Sequence, residues 1–139
     1  MSKTHRLFIS HSWKYSDQYE TIIGWFNKAS YFNWINYSIP ITNPVDFDSK
    51  KELKQKITNK INQVNCVVIL AGMYAAHSEW IDYEIDEAVR LGKPIVGVKP
   101  WGNEKMPQKI QDYADEIVNW QSSSVVDAVK DAVKRNSNA

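Results

Sequence analysis

The segment that most limits the fold is Val64 to Ala71, VNCVVILA. A run this apolar has no face for water. It predicts a strand covered on both sides, the environment of a central parallel strand. Gly72 ends it, and amphipathic segments flank it. Before it, Asp48 or Ser49 opens a helix to about Asn62, in which Leu53, Ile57 and Ile61 sit four apart and Val64 follows three later. After it, Ser78 is placed as the N-cap of a helix to Leu91, with Gly92 supplying the C-terminal cap. The alternation extends in both directions. Arg6 to Ser10 reads as a strand, followed by a helix from Ser16 or Asp17 to about Ala29 with Tyr19, Ile22, Ile23 and Phe26 on one face. Trp34 to Ile39 reads as a second strand, stopped by Pro40. Pro94 to Lys99 and Asp115 to Trp120 are further strands, Pro107 to Tyr113 a short helix, and a last helix runs from Ser122 or Ser123 to about Lys134.

Five strand–helix alternations predict an α/β fold with a parallel sheet. At 139 residues the expected form is flavodoxin-like: three layers, a five-stranded parallel sheet in the order 2-1-3-4-5, and helices on both faces. One domain over residues 1–135 and a polar tail at 136–139 are expected. Ligands in such sheets bind at the carboxyl ends of the strands, near the point where the strand order reverses. Residues 11–16 and 72–78 are therefore expected to line one crevice.

Composition narrows the function classes. Seventeen basic and sixteen acidic residues give a net charge of +1, so no global field draws the chain to nucleic acid or an anionic membrane. No stretch is long and apolar enough for a signal-peptide core or a membrane span. Cys66 is the single cysteine, so an intramolecular disulfide is impossible; a cytoplasmic protein is expected. His5, His11 and His77 do not have metal-ligand spacing, and no metal or resident cofactor is expected. There is no P-loop and no Gly-x-Gly-x-x-Gly. Leu70-Ala71 stands where a receiver domain needs an acid, and residues 11–16 lack the glycine of a flavodoxin phosphate loop.

One carboxylate stands out. The expected helix Ser78 to Leu91 carries Glu79, Asp82, Glu84, Asp86 and Glu87. With Ile85 at the centre of the buried face and about 100° per residue, Ile81, Val89 and Ala88 fall beside it. Glu84 is then bracketed by Ala88 on one side and Trp80 and Leu91 on the other. Glu79, Asp86 and Glu87 point to solvent, with Asp86 placed to pair with Arg90. Asp82 lies at the other apolar edge. A carboxylate on an apolar border couples strongly to nearby charge, as binding of a ribose hydroxyl or a developing cation requires. Most helix-edge glutamates are structural or solvated, so geometry alone leaves both uses open.

Four segments resemble a TIR domain, in particular the TIR-like proteins of bacterial anti-phage signalling of the Thoeris type. Leu7-Phe-Ile-Ser-His-Ser12 resembles the first-strand motif. Ser78-Glu-Trp-Ile-Asp-Tyr-Glu84 resembles the helix in which a Trp precedes the catalytic Glu by four positions. Gly92-Lys-Pro-Ile-Val-Gly-Val98 resembles the strand after it. Pro100-Trp-Gly102, with Pro107 and Trp120, resembles the C-terminal half. The resemblance implies an NAD-cleaving enzyme, with NAD as substrate, that breaks the nicotinamide–ribose bond and forms a cyclic ADP-ribose isomer. That second messenger would activate a separate NAD-depleting effector protein.

The resemblance also implies the residue roles. Glu84 takes the place of the catalytic glutamate, and Phe8, Ser10, His11, Trp13, Lys14, Ser78 and Trp80 are candidate substrate-binding residues. Within that set, His11 reads equally as a ligand contact or a helix cap. Lys14 reads as a phosphate partner or a solvated lysine, and Ser78 as an N-cap whose helix start can also hold phosphate. Trp80 reads as core packing that positions Glu84 in preference to direct stacking. Trp13, Tyr15 and Trp101 are placed to shield the ribose from water. Expected partners are the effector, reached through the diffusible messenger, a phage-derived trigger, and a second copy of the chain; nucleic acid and membrane are not. Low resting activity is expected, because an unregulated NAD cleaver harms its host. The segment Ile39-Pro-Ile-Thr-Asn-Pro44 lacks the Arg-Asp and Pro-Gly pattern of receptor TIR loops. A non-catalytic interaction module and a simple NAD hydrolase are the alternatives.

Overall fold

The computed structural model describes residues 4–10, 17–30, 32–38, 50–99 and 106–137. Within them run β1 (Thr4–Ile9), α1 (Asp17–Lys28), β2 (Asn33–Asn36), α2 (Lys50–Gln63), β3 (Cys66–Leu70), a single 3-10 turn (Ala71–Met73), α3 (Tyr74–Arg90), β4 (Ile95–Val98), α4 (Gln108–Tyr113), β5 (Glu116–Val118) and α5 (Ser122–Ser137). The five strands form one sheet in the order β2-β1-β3-β4-β5, every pair parallel. This is the expected architecture.

Strand alternation builds two hydrophobic layers. Phe8, Val67, Ile69 and Ile95 face one side, where Leu53, Ile57 and Ile61 of α2, Trp80, Ile81, Ile85 and Ala88 of α3, and Ile110 of α4 cover them. Leu7, Ile9, Cys66, Val68, Leu70, Val96 and Val98 face the other, against Ile22 and Phe26 of α1 and Val125, Val129 and Val133 of α5. Every residue of β3 is buried, as its unbroken apolar run requires. Burial also pushes the Cys66 thiol far above its usual range, so it stays a protonated core residue.

Two glycines fix local geometry. Gly92 has φ of 71° and ends α3; its N–H donates to the Val89 carbonyl and the Lys93 N–H to that of Ala88, a Schellman closure. At Gly97 a Cβ would stand 2.8 Å from Cγ2 of Ile110, so β4 needs glycine for α4 to pack this closely.

Helix ends depart from expectation in two places. α3 starts at Tyr74, not at Ser78. Tyr74-Ala75-Ala76 carries two of the strongest helix formers, and the chain enters it directly from the 3-10 turn. Ser78 therefore lies in the second turn and is not an N-cap. α5 runs on to Ser137 through what is expected as polar tail, because nothing in Arg135-Asn136-Ser137 breaks a helix.

Candidate functional site

The packing of α3 rotates its buried face away from the centre that sequence suggests. Val89, expected inside, is 48% exposed. Ile85, Ile81, Ala88 and Trp80 are buried instead, an arc of about 140° that extends to one side of Ile85. Glu84 falls inside that arc, between Ala88 and Trp80, and is 1% exposed. A border position has become a core position. On this flank α2 packs beside α3, sharing its apolar layer and meeting Tyr83 and Glu87 through Thr58. Glu84 stands ten residues from the start of α3, about 15 Å along the axis.

Burial raises the Glu84 carboxyl well above the usual carboxylate range. Desolvation penalises the charged form, so the buried side chain favours its neutral acid. The residue has a polar interaction within the structure, but its Oε1 atom is buried with no hydrogen bond of its own. Among the described residues Glu84 is the only buried carboxyl.

The carboxyl ends of β1 and β3 are joined through side chains that sequence reasoning only half identified. Ser10 is fully buried, and its Oγ accepts from the Leu70 N–H at 2.8 Å while its own N–H donates to the Val68 carbonyl. Ser38, absent from the expected site, accepts from the Ile9 N–H at 2.8 Å. Asn36 accepts from the Ser38 N–H and donates to the Tyr19 hydroxyl. The serine hydroxyls thus replace ladder partners where the strands end. Ser10 thus ties the end of β1 to the end of β3. The signal for Ser38 was weak, because a serine two residues beyond a short edge strand has no periodicity to mark it.

Phe8 is wholly buried in the same layer as Glu84's helix, and Trp80 is 8% exposed in that layer. Both support α3 from within. His11, Trp13 and Lys14, with Tyr15 and Trp101, lie outside the described residues, as does the Ser78 side chain. Among the described residues no group of three His, Cys, Asp or Glu could hold a metal, and no helix is long and apolar enough to cross a membrane.

The other acids of α3 are also re-sorted. Glu87, expected in solvent, is tucked toward α2. Its carboxylate takes two hydrogen bonds from Arg90, at 2.8 and 2.9 Å, and one from the Thr58 hydroxyl at 2.6 Å. Arg90 is the first cause, and with Thr58 it pulls the carboxyl down to about 2. Asp86, expected to pair with Arg90, instead reaches Lys109 of α4 at 2.8 Å. Helical spacing offered Arg90 two acids; only the position of α4 decided between them.

A doubly wound parallel sheet with one buried carboxyl on the helix after its third strand defines a flavodoxin-like α/β domain. Within that class the chain belongs to the family described as Thoeris protein ThsB, TIR-like domain, which it matches over residues 8–105. A relative from Cytobacillus dafuensis, named as a cyclic ADP-D-ribose synthase (TIR2), is 33% identical over 101 residues, 67% of this chain. The match spans 24% of that relative's length. Among solved structures, a pilus assembly-related protein from Burkholderia pseudomallei has a TM-score of 0.58 at 13% identity, covering 94% of this chain and 90% of its own. A Clostridium botulinum CMP N-glycosidase has a TM-score of 0.55 at 13% identity, covering 90% and 98%. These two likenesses establish the fold alone.

Proposed function

We propose that the chain is an NAD-processing TIR-like enzyme whose catalytic carboxyl is Glu84, and that its product is a cyclic ADP-ribose isomer acting as second messenger in anti-phage defence. The observation that carries this reading is the buried Glu84 carboxyl on α3 of a Thoeris TIR-like domain. The name of the Cytobacillus relative supports cyclisation.

The chemistry asks little of the protein beyond position and charge. Cleaving the nicotinamide–ribose bond leaves an oxocarbenium-like ribose, as in glycoside cleavage. Nicotinamide departs as a neutral base, so no general acid is needed and one carboxylate suffices. The ionised Glu84 would bind ribose hydroxyls and stabilise the positive charge. Cyclisation then requires an internal nucleophile, such as an adenine nitrogen, held against the ribose with water excluded. His11, Trp13, Lys14 and Ser78 are proposed to complete the substrate contacts.

A buried neutral carboxyl cannot stabilise a cation. The positive nicotinamide ring of bound NAD favours the ionised form, so substrate entry and charging of Glu84 belong to one event. The buried resting state accords with low activity before a phage-derived trigger. The proposed route onward is a diffusible messenger read by a separate effector in the cytoplasm.

The test is mass spectrometry of nicotinamide and the ADP-ribose isomers in lysates given NAD, with and without infection by a phage that triggers the response. A cyclic product that requires both infection and Glu84, absent in Glu84→Gln, is expected. Linear ADP-ribose alone would assign a hydrolase. No product from folded protein in either state would assign an interaction module.

A further inference from the structure

The proposed reaction uses Glu84 but leaves unexplained a polar cluster that flanks it on the same helix. Tyr83 and Glu87 lie about 100° and 60° round α3 from Glu84, both toward α2. The Thr58 hydroxyl of α2 is 2.6 Å from the Tyr83 hydroxyl and 2.6 Å from Glu87 Oε1. Each hydroxyl has one proton to give. The short distances are met when Tyr83 donates to Thr58, Thr58 donates to Glu87, and Arg90 donates twice to the same carboxylate. The Tyr83 hydroxyl also lies 3.2 Å from the Lys54 carbonyl, and the Lys54 ammonium stands 5.4 Å from the Tyr83 ring centroid.

We propose that Thr58, Tyr83 and Glu87 form a clasp that positions Glu84: they pin α3 to α2 and so hold the Glu84 carboxyl in the closed, buried arrangement of the resting protein. The apolar contacts below this corner, through Leu53, Ile57, Ile81 and Ile85, are non-directional and set the rotation of α3 less sharply. Hydrogen bonds between α2 and α3 are directional and do fix it. Releasing them lets α3 turn or lift at its α2 edge, the flank toward which Glu84 lies. Water and substrate then reach the carboxyl together.

Among the described residues, α2 brings the Lys54 ammonium over the Tyr83 ring and the Lys60 ammonium over the Tyr37 ring, the latter at 5.7 Å. On α3 itself Glu87 and Arg90 neutralise each other, and Asp82 and Asp86 face Lys109 of α4. The strands contribute Phe8, Val67, Ile69 and Ile95 to this layer, none of them titratable. Desolvation is the cause that raises the Glu84 carboxyl, and in this proposal the clasp sets its access to water.

The inference rests on Glu84 being the catalytic carboxyl, so its test has a readout that does not require activity. The Glu84 side-chain carboxyl would be followed by carbon-detected NMR through a pH titration in the full chain and in Thr58→Val, an isosteric change that removes the hydroxyl linking Tyr83 to Glu87. Tyr83→Phe is the second variant, and Asp86→Asn, which breaks the α3–α4 pair instead, is the control. NAD cleavage without a trigger would be measured alongside.

The expected result is a Glu84 midpoint that falls toward the ordinary carboxylate range in Thr58→Val and Tyr83→Phe but not in Asp86→Asn. Untriggered NAD cleavage should rise about fivefold, the change in a closed-to-open equilibrium carried by about one net hydrogen bond. A midpoint unchanged in folded Thr58→Val or Tyr83→Phe would overturn the clasp. An equal shift in Asp86→Asn would overturn it too, because general loosening of α3 would then explain the effect. A shifted midpoint with no cleavage would uphold the clasp and defeat the catalytic reading of Glu84.

Discussion

Replacing Glu84 with Gln should remove a pH-dependent loss of stability. Burial raises the folded-state midpoint of this carboxyl, whereas a Glu in the unfolded chain titrates near 4.3, about its ordinary value. Between those two points the folded protein keeps a proton that the unfolded chain has released. Stability therefore falls as pH rises through that window. The contribution is fully present below about pH 4.3 and is lost as pH climbs to the folded midpoint. Well inside the window the slope approaches about 1.4 kcal/mol per pH unit. One unit thus changes the unfolding equilibrium about tenfold. Glu87 does not confuse the measurement, because its carboxyl is lowered to about 2 and its own window lies below about pH 4.3. Gln is neutral throughout, and burying its amide adds an offset of about 1–3 kcal/mol that does not vary with pH. Urea unfolding of both proteins at intervals from about pH 5 to 7 gives the difference curve. The wild type should lose stability with rising pH relative to the variant, at up to the slope above. Parallel curves would show that Glu84 is ionised in the native protein, and the account of a neutral, sequestered carboxyl would be wrong.

Three further outcomes follow from particular contacts. Gly97→Ala places a methyl 2.8 Å from Ile110 Cγ2 and should cost about 1–3 kcal/mol by overpacking; in a double-mutant cycle Ile110→Ala should recover part of that loss. Ser10→Ala strands the buried Leu70 N–H, with an expected cost of about 1–3 kcal/mol in denaturant unfolding and faster hydrogen exchange at Leu70. Glu87→Gln should flatten the acid limb of stability: a lowered carboxyl stabilises above its unfolded midpoint and loses that contribution as pH falls toward about 2. Its cost near neutral pH should be about 1–2 kcal/mol after allowing for the exposed Arg90 partner.

The element types and the parallel sheet were legible because they depend on local patterns, whereas the strand order was expected as the usual arrangement for a chain of this length. An unbroken apolar β3 demanded a parallel sheet with both faces covered, and amphipathic helices supplied the covers. Helix starts were less legible. Ser78 carried a capping signal, but Ala75 and Ala76 prolonged α3 past it, since capping preference competes with propensity and here lost.

The position of Glu84 shows the boundary between the two kinds of knowledge most clearly. The 100° rotation per residue placed it beside apolar neighbours, and that much follows from the order of residues alone. Its burial, which pushes the carboxyl toward the neutral form, arises only when the elements pack. In the packed structure the buried arc shifts from Val89 toward Trp80 and takes in Glu84. The same holds for Glu87 and Asp86, whose partners Thr58 and Lys109 lie on other helices. Periodicity ranks the faces of one helix against water. Which face meets which neighbour, and so which carboxyl is charged, is decided only when the helices pack.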